Sequence, residues 1–267
     1  MTEYAAEGEV MYHTGLSKDM LGGAAYALLP GDPGRVEGLA RALSPDAKFL
    51  GSHRDFTSWL APMENGTVII MSTGMGGPCV TFAVEELARL GVTTFIRVGT
   101  TGSIQETIHP GDVIVNYGAV RMDGASLAYA PPQYPAIADF DVTGALLDGA
   151  ARMSIPVHRG ISISTDSFWP GQERYDSFSG YVLRRLQGSL AEFRRLGCTN
   201  YEMENATLFT LASVMGLRAG SVCGVVAKRT ESEAVAPPET YRRAEARFQI
   251  IAREGLSLLM KKDQEQK

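Results

Sequence analysis

Short apolar runs recur along this chain at intervals long enough to hold a helix, and that alternation limits the fold more than any other feature. The runs at 25–29, 68–72, 94–98, 112–116, 159–164 and 219–227 have strand length. Between and after them lie amphipathic stretches at 34–43, 78–90, 143–153, 181–196, 203–215 and 238–260. Strand-length and helix-length segments in alternation predict an α/β layered fold. Punctuation agrees: Gly91 and Gly216 each follow a helical pattern as a left-handed cap requires, and Pro78 suits a first-turn position. In the last stretch Ala244, Phe248, Ile251, Gly255 and Leu258 recur at helical spacing, so one face packs on the body. The proline-rich segment 120–140 has little periodicity and reads as a long surface excursion. No linker-like shift in composition and no repeat divides the chain. The expectation is one domain over 1–267, with loosely ordered ends at 1–12 and 261–267.

Composition narrows the function classes. At 267 residues and 45% hydrophobic, the chain can bury a substantial core without staples. A net charge of -5 gives no basic field for nucleic acid or an anionic membrane, so an anionic substrate needs a local basic pocket. Cys79, Cys198 and Cys223 are scattered and form no Cys-x-x-Cys pair, which reads as free thiols in a reducing compartment. The start carries Glu3, Glu7 and Glu9 and lacks the apolar stretch of a signal peptide, and no run approaches a membrane span. The expected location is the cytoplasm.

Open α/β sheets bind ligands at the carboxyl ends of their strands, and several such ends carry suggestive residues. In Leu29-Pro30-Gly31-Asp32-Pro33-Gly34-Arg35, Gly31 allows close backbone approach and the following helix start favours an anion within reach of Arg35. The alternative is an ordinary turn capped by Asp32, with Arg35 solvated. Ser72-Thr73-Gly74-Met75-Gly76-Gly77-Pro78 has the outline of a dinucleotide fingerprint. Cys79, however, stands at the third glycine position and the next strand carries Arg97 where a ribose-binding acid belongs, which argues against a dehydrogenase. In Phe95-Ile96-Arg97-Val98-Gly99-Thr100-Thr101-Gly102, an arginine inside an apolar strand requires an anion or a carboxylate, and a Gly-Thr-Thr-Gly turn adds donors nearby. Glu202 and Glu204 flank Met203 at a helix entry; spaced at i and i+2 they point different ways, and one of them can accept both hydroxyls of a sugar diol. The plain alternative is a helix-start acid favoured by the dipole. In 164–174, Phe168 and Trp169 precede Gln172 and Arg174, and Gln172 can donate and accept at once to a base edge. A surface loop with a packed Phe168 is equally consistent.

Together these segments resemble the nucleoside phosphorylase type I family, and within it the enzymes acting on uridine. The resemblance runs from His13-Thr14-Gly15-Leu16 to about Leu259. Its most specific pieces are Arg97-Val98-Gly99-Thr100-Thr101-Gly102, Phe168-Trp169-Pro170-Gly171-Gln172-Glu173-Arg174-Tyr175-Asp176 and Tyr201-Glu202-Met203-Glu204. It implies a three-layer α/β/α sandwich around a mixed, partly barrel-like central sheet. It implies phosphate-dependent cleavage of uridine to uracil and ribose 1-phosphate, with deoxyuridine or thymidine as further candidate substrates. Inorganic phosphate is the cosubstrate and no cofactor is used.

By position, Gly31, Arg35, Arg97 and Thr100 correspond to phosphate-binding residues, joined by Arg54 from a neighbouring subunit. His13, also from the neighbour, Met203 and Glu204 correspond to ribose contacts. Phe168, Gln172 and Arg174 correspond to base contacts, with Arg229 near the uracil O4; Gln172, Arg174 and Arg229 carry the catalytic assignment. Family members assemble as hexamers built from dimers, each dimer completing two shared sites. Related enzymes can also hold a monovalent cation through a glutamate, a backbone carbonyl and a serine. Here Asp55, Met75 and Cys79 stand at those places, a shorter carboxylate and a soft thiol among them, so no metal is expected.

The rival readings are a purine nucleoside phosphorylase or hydrolytic nucleosidase of the same fold, and a silent nucleoside-binding protein. Purine enzymes need an acid near the late strand, where this chain has Lys228-Arg229. A hydrolase has no use for the set Arg35, Arg54 and Arg97. The composition of 231–238 suits a lid.

Overall fold

The computed structural model describes residues 4–266. In chain order they form β1 (Tyr26–Leu29), α1 (Val36–Leu43), β2 (Lys48–His53), β3 (Phe56–Met63), β4 (Gly66–Met71), α2 (Gly77–Arg89), β5 (Thr94–Ser103), β6 (Val113–Met122), β7 (Ala136–Ile137), α3 (Phe140–Arg152), β8 (His158–Thr165), α4 (Ser189–Arg195), β9 (Asn200–Glu202), α5 (Asn205–Val214), β10 (Arg218–Lys228) and α6 (Pro238–Glu265). All ten strands join one mixed sheet. Strands β5, β10, β6, β8 and β9 close into a ring, because β10 pairs with both β5 and β6 while β9 returns to β5. From β5 the sheet continues outward through β1, β4, β3 and β2, and the last strand carries a register shift between Phe49 and Gly51. This is the mixed, partly barrel-like sheet expected.

Side-chain alternation explains the layering. Along β1, Ala27 and Leu29 face one core while Leu28 faces the other; along β4, Ile69 and Met71 oppose Val68 and Ile70. A strand with apolar residues on both faces must be covered twice. Helices α2 and α5 supply one cover, with Val80, Val84, Phe209 and Leu211. Helices α1, α3 and α6 supply the other, with Leu39, Leu146, Phe248 and Ile251. Helix α1 buries Val36, Leu39, Ala40 and Leu43 at spacings of one helical face, and Asp32 accepts from the Gly34 N–H at 2.8 Å just before it. Burial of each such aliphatic side chain stabilises the fold by about 1.5–3 kcal/mol.

Two expectations are corrected, and the two ends are described over 4–12 and 261–266; residues 1–3 and 267 of those ends lie outside the described residues. The helix expected over 181–196 shrinks to Ser189–Arg195, because Gly188 turns into the left-handed region at φ 83. The Glu173 carboxylate then accepts from the backbone N–H groups of Gly188 and of Leu190, the latter at 2.7 Å, and fixes the late start. The segment 120–140 is not simply an excursion. β6 runs through Met122, and the Arg121 guanidinium donates to the carbonyls of Pro131, Tyr134, Ser126 and Ala130 at 2.6–2.9 Å, strapping the loop down. Residues 4–12 are anchored: the Ala5 N–H donates to the Arg89 carbonyl at 2.9 Å and Met11 is buried. At the other end α6 continues to Glu265, held by Asp263, which accepts from Tyr26 and Arg218 at 2.6 and 2.5–2.9 Å. No helix among the described residues is long and apolar enough to cross a membrane.

Candidate active site

Strand β1 stops at Leu29, opposite Arg97 of β5, and β9 takes up the same edge of β5 only from Gly102. Between those points the edge of β5 is uncovered, and a cavity of about 630 Å³ opens there. Thus Gly99–Gly102 is extended strand, paired on its other side with β10, and not the turn expected from its glycines. Gly31, Arg35 and Thr100 line the cavity together with Arg97. Gly31 sits against the 73–74 backbone so closely that a Cβ would lie 3.1 Å from the Gly74 carbonyl oxygen.

Arg97 is buried, and Gly99 explains how it fits. Residues i and i+2 share a face of a strand, and a Cβ at position 99 would meet the guanidinium at 2.8 Å. The Arg97 Nη2 lies 2.5 Å from Glu204 Oε2, and its Nε lies 3.4 Å from Glu202 Oε2. The two acids therefore converge on one cation, against the expectation that they diverge. β9 ends at Glu202 and the chain bends at Glu204 (φ -135, ψ -25) into α5, so neither the strand nor the helix period governs their directions. Burial alone lowers the Arg97 guanidinium, but Glu204 leads a set of negative groups that lifts it above its ordinary value. Burial dominates at Glu202 and pushes its carboxyl up, with Arg97 pulling the other way. Four further donors reach Glu202: the Ser162 and Ser164 hydroxyls and the N–H groups of Glu204 and Asn205, the last two at 2.8 Å. Glu204 accepts from the Gly76 N–H at 2.6 Å through Oε1, while its Oε2 and the Arg97 Nε have no aligned hydrogen bond. Met203 lines the cavity beside them.

Arg35 is already engaged. Its Nε lies 2.7 Å from Glu245 of α6, and its Nη2 donates to the Tyr241 hydroxyl. The cavity is lined also by Phe168, Gln172 and Arg174. Gln172 is buried, and its side-chain amide has no hydrogen bond among the described residues. The Arg174 guanidinium stacks on Phe168 with its carbon 4.1 Å from the ring centroid, so Phe168 here covers an arginine. Burial, and then the charge of Arg229, pull Arg174 below its ordinary value. Arg229 does not line the cavity. It lies behind Arg174, where Gly102 leaves room for it, and donates to the Gln172 carbonyl at 3.0 Å.

His13 and Arg54 are not among the residues lining the cavity of their own chain. The His13 ring lies 2.7 Å from Glu86, whose carboxyl burial would raise but which the donors on His13 and Thr14 hold below its ordinary value. Arg54, at the tip of the β2–β3 hairpin with φ 54, is exposed and lies over Tyr12 at 5.1 Å. His53 Nδ1 sits 2.8 Å from the His13 carbonyl oxygen, which brings half-buried His13 near exposed Arg54, the neighbour of His53 in sequence.

Asp55, Met75 and Cys79 do come together at the cavity mouth. Burial, then the charges of Asp55 and Glu204, push the Cys79 thiol up, which disfavours the thiolate. A neutral sulfur is a poor donor to a hard cation, so the residues do not fit one. Replacing potassium by a bulky organic cation at constant ionic strength is expected to leave activity and Tm unchanged. A saturable, potassium-specific rise in Tm that Asp55→Ala abolishes would overturn this.

Sequence reasoning missed Glu233, whose carboxylate contacts both Arg174 and Arg229, and the partners Glu245 and Glu86. None of the three carried a local signal: Glu233 stands four residues after Arg229, but in a turn, where helical spacing has no meaning.

The chain belongs to the phosphorylase superfamily, whose family model matches residues 25–257. Its relatives include a protein named uridine phosphorylase from Klebsiella aerogenes, 49% identical over 250 residues that span 94% of this chain and 98% of that protein. A second protein of that name, from Escherichia coli strain K12, is 48% identical over the same shares. A third, from Thermococcus kodakarensis, is 40% identical over 242 residues, 91% of this chain and 84% of that protein.

Proposed function

We propose that the chain catalyses the phosphorolysis of uridine to uracil and ribose 1-phosphate. The observation that supports this reading is one cavity lined both by Gly31, Arg35, Arg97 and Thr100, a set suited to an anion, and by buried Gln172 with Arg174, a pair suited to a base edge. Inorganic phosphate is held by the first set. Glu204 takes the ribose 2′ and 3′ hydroxyls with Met203 beneath the sugar. Gln172 and Arg174 read the uracil edge, with Phe168 packing on the ring and Arg229 supporting from behind. As the glycosidic bond stretches, negative charge spreads to O2 and O4 of the base, and donors aimed at those oxygens stabilise it. Loss of one such donor costs about 3 kcal/mol. Phosphate held in line supplies much of the rest through positioning. The enzyme is cytoplasmic and homo-oligomeric, with a dimer that shares sites through His13 and Arg54 and a hexamer as its full assembly. The position of half-buried His13 and exposed Arg54, outside the cavity of their own chain, supports the sharing.

Uridine cleavage is expected to require inorganic phosphate and to yield ribose 1-phosphate, with inosine a much poorer substrate. Equal rates in phosphate-free buffer with free ribose as product identify a hydrolase instead, and a preference for inosine identifies a purine enzyme.

A further inference from the structure

Two buried guanidiniums side by side repel each other, and the carboxylate of Glu233 is the one that touches both Arg174 and Arg229, with Asp176 a more distant negative charge near Arg174. Glu233 Oε2 lies 2.9 Å from Arg174 Nη1 and 2.8 Å from Arg229 Nε, and its Oε1 lies 3.2 Å from Arg229 Nη2. Its backbone carbonyl also accepts from Arg174 Nη1 at 3.0 Å. The segment carrying Glu233 is fastened on both sides of it. The Arg229 N–H donates to the Ser103 carbonyl at 2.9 Å, and Glu231 meets Lys228 at 2.7 Å. Beyond Glu233, the Ala236 N–H donates to the Val226 carbonyl at 2.7 Å and Val235 bridges to Ala227. The neighbouring acid Glu173 is turned to the start of α4. What remains on the guanidiniums is a set of buried N–H groups without aligned hydrogen bonds, at Arg174 Nε and at Arg229 Nε and Nη1, the Arg229 Nε being held to Glu233 by charge alone.

We propose that Glu233 is a positioning residue of the base site, which locks both guanidiniums and cancels one of their two charges, so that the site prefers a neutral pyrimidine over an anionic one. The inference rests on the uridine reading. With two uncompensated arginines, the site would favour a ring that already carries negative charge. With Glu233 in place, the remaining donors gain most as charge appears on the leaving base.

The test compares binding of neutral uracil and anionic barbiturate, the same ring with a third oxygen, to the full chain at one pH by calorimetry. Glu233→Gln is expected to raise the barbiturate-to-uracil affinity ratio by about tenfold or more, as removal of a charge in direct contact should. Glu233→Asp, which keeps the charge, is expected to hold the ratio near that of the parent. Equal weakening of both ligands in Glu233→Gln, with the ratio unchanged, means that Glu233 only braces the segment and overturns the proposal. A parent chain that binds no uracil sinks the uridine reading as well, so the two failures are told apart.

Discussion

Replacing Arg97 by methionine is expected to abolish measurable phosphorolysis and to destabilise the fold by about 3–5 kcal/mol, the usual cost of leaving buried charges unpaired. The size of the effect follows from what Arg97 touches. Glu204 and Glu202 lie 2.5 and 3.4 Å from it, and all three side chains are buried. The loss should depend on pH with a definite sign. Burial already pushes the Glu202 carboxyl up, and removing Arg97 pushes it further, so the native variant takes up a proton that the unfolded chain releases. Destabilisation of Arg97→Met should therefore shrink as pH falls through the folded-state value of Glu202 and grow as pH rises through it. Thermal melts across pH and a phosphorolysis assay check both halves. A variant as stable as the parent at neutral pH would show that the acids find other partners.

The second large effect concerns sites shared between subunits. Arg54→Ala and Gln172→Ala chains are each expected to be nearly inactive, because each removes a different part of every site. After mixing and subunit exchange, roughly a quarter of sites should be intact, since half of randomly formed two-fold dimers are mixed and each mixed dimer has one whole site. Activity should recover to about that fraction. Proven exchange without recovery places Arg54 in the site of its own chain. The exposed position of Arg54 at a hairpin tip, with a positive φ that non-glycine residues seldom adopt, suits a residue held out for a partner.

Much of the sheet was legible because its strands are apolar on both faces. The six runs read from the sequence correspond to β1, β4, β5, β6, β8 and β10. The β2–β3 hairpin was not: Lys48–His53 is exposed or half-buried with only Phe49 and Leu50 apolar, and Phe56–Met63 breaks its buried apolar positions with Ser58 and Pro62. The short β9 owes its extended form to pairing with β5 and β8, which no local pattern announces. Gly99–Gly102 misled in the same way: its glycines clear space for Arg97 and Arg229 and do not turn the chain. At the candidate site, residue chemistry pointed to Arg35, Arg97 and Gln172, and the family resemblance supplied His13, Arg54 and Arg229. Glu233 was invisible because its meaning depends on two arginines brought together from positions 174 and 229.

The closed ring has a consequence for how copies of this chain can meet. Joining β5, β10, β6, β8 and β9 in a circle removes most of the free margins along which foreign strands could add. The open end of the strand order is β2, and that margin is short, begins with Lys48 and is broken by the irregularity between Phe49 and Gly51. A flat, continuous ladder from one molecule to the next finds little purchase there. Any association between copies is therefore left to side-chain surfaces, and edge-to-edge growth into fibrils is disfavoured by the topology itself.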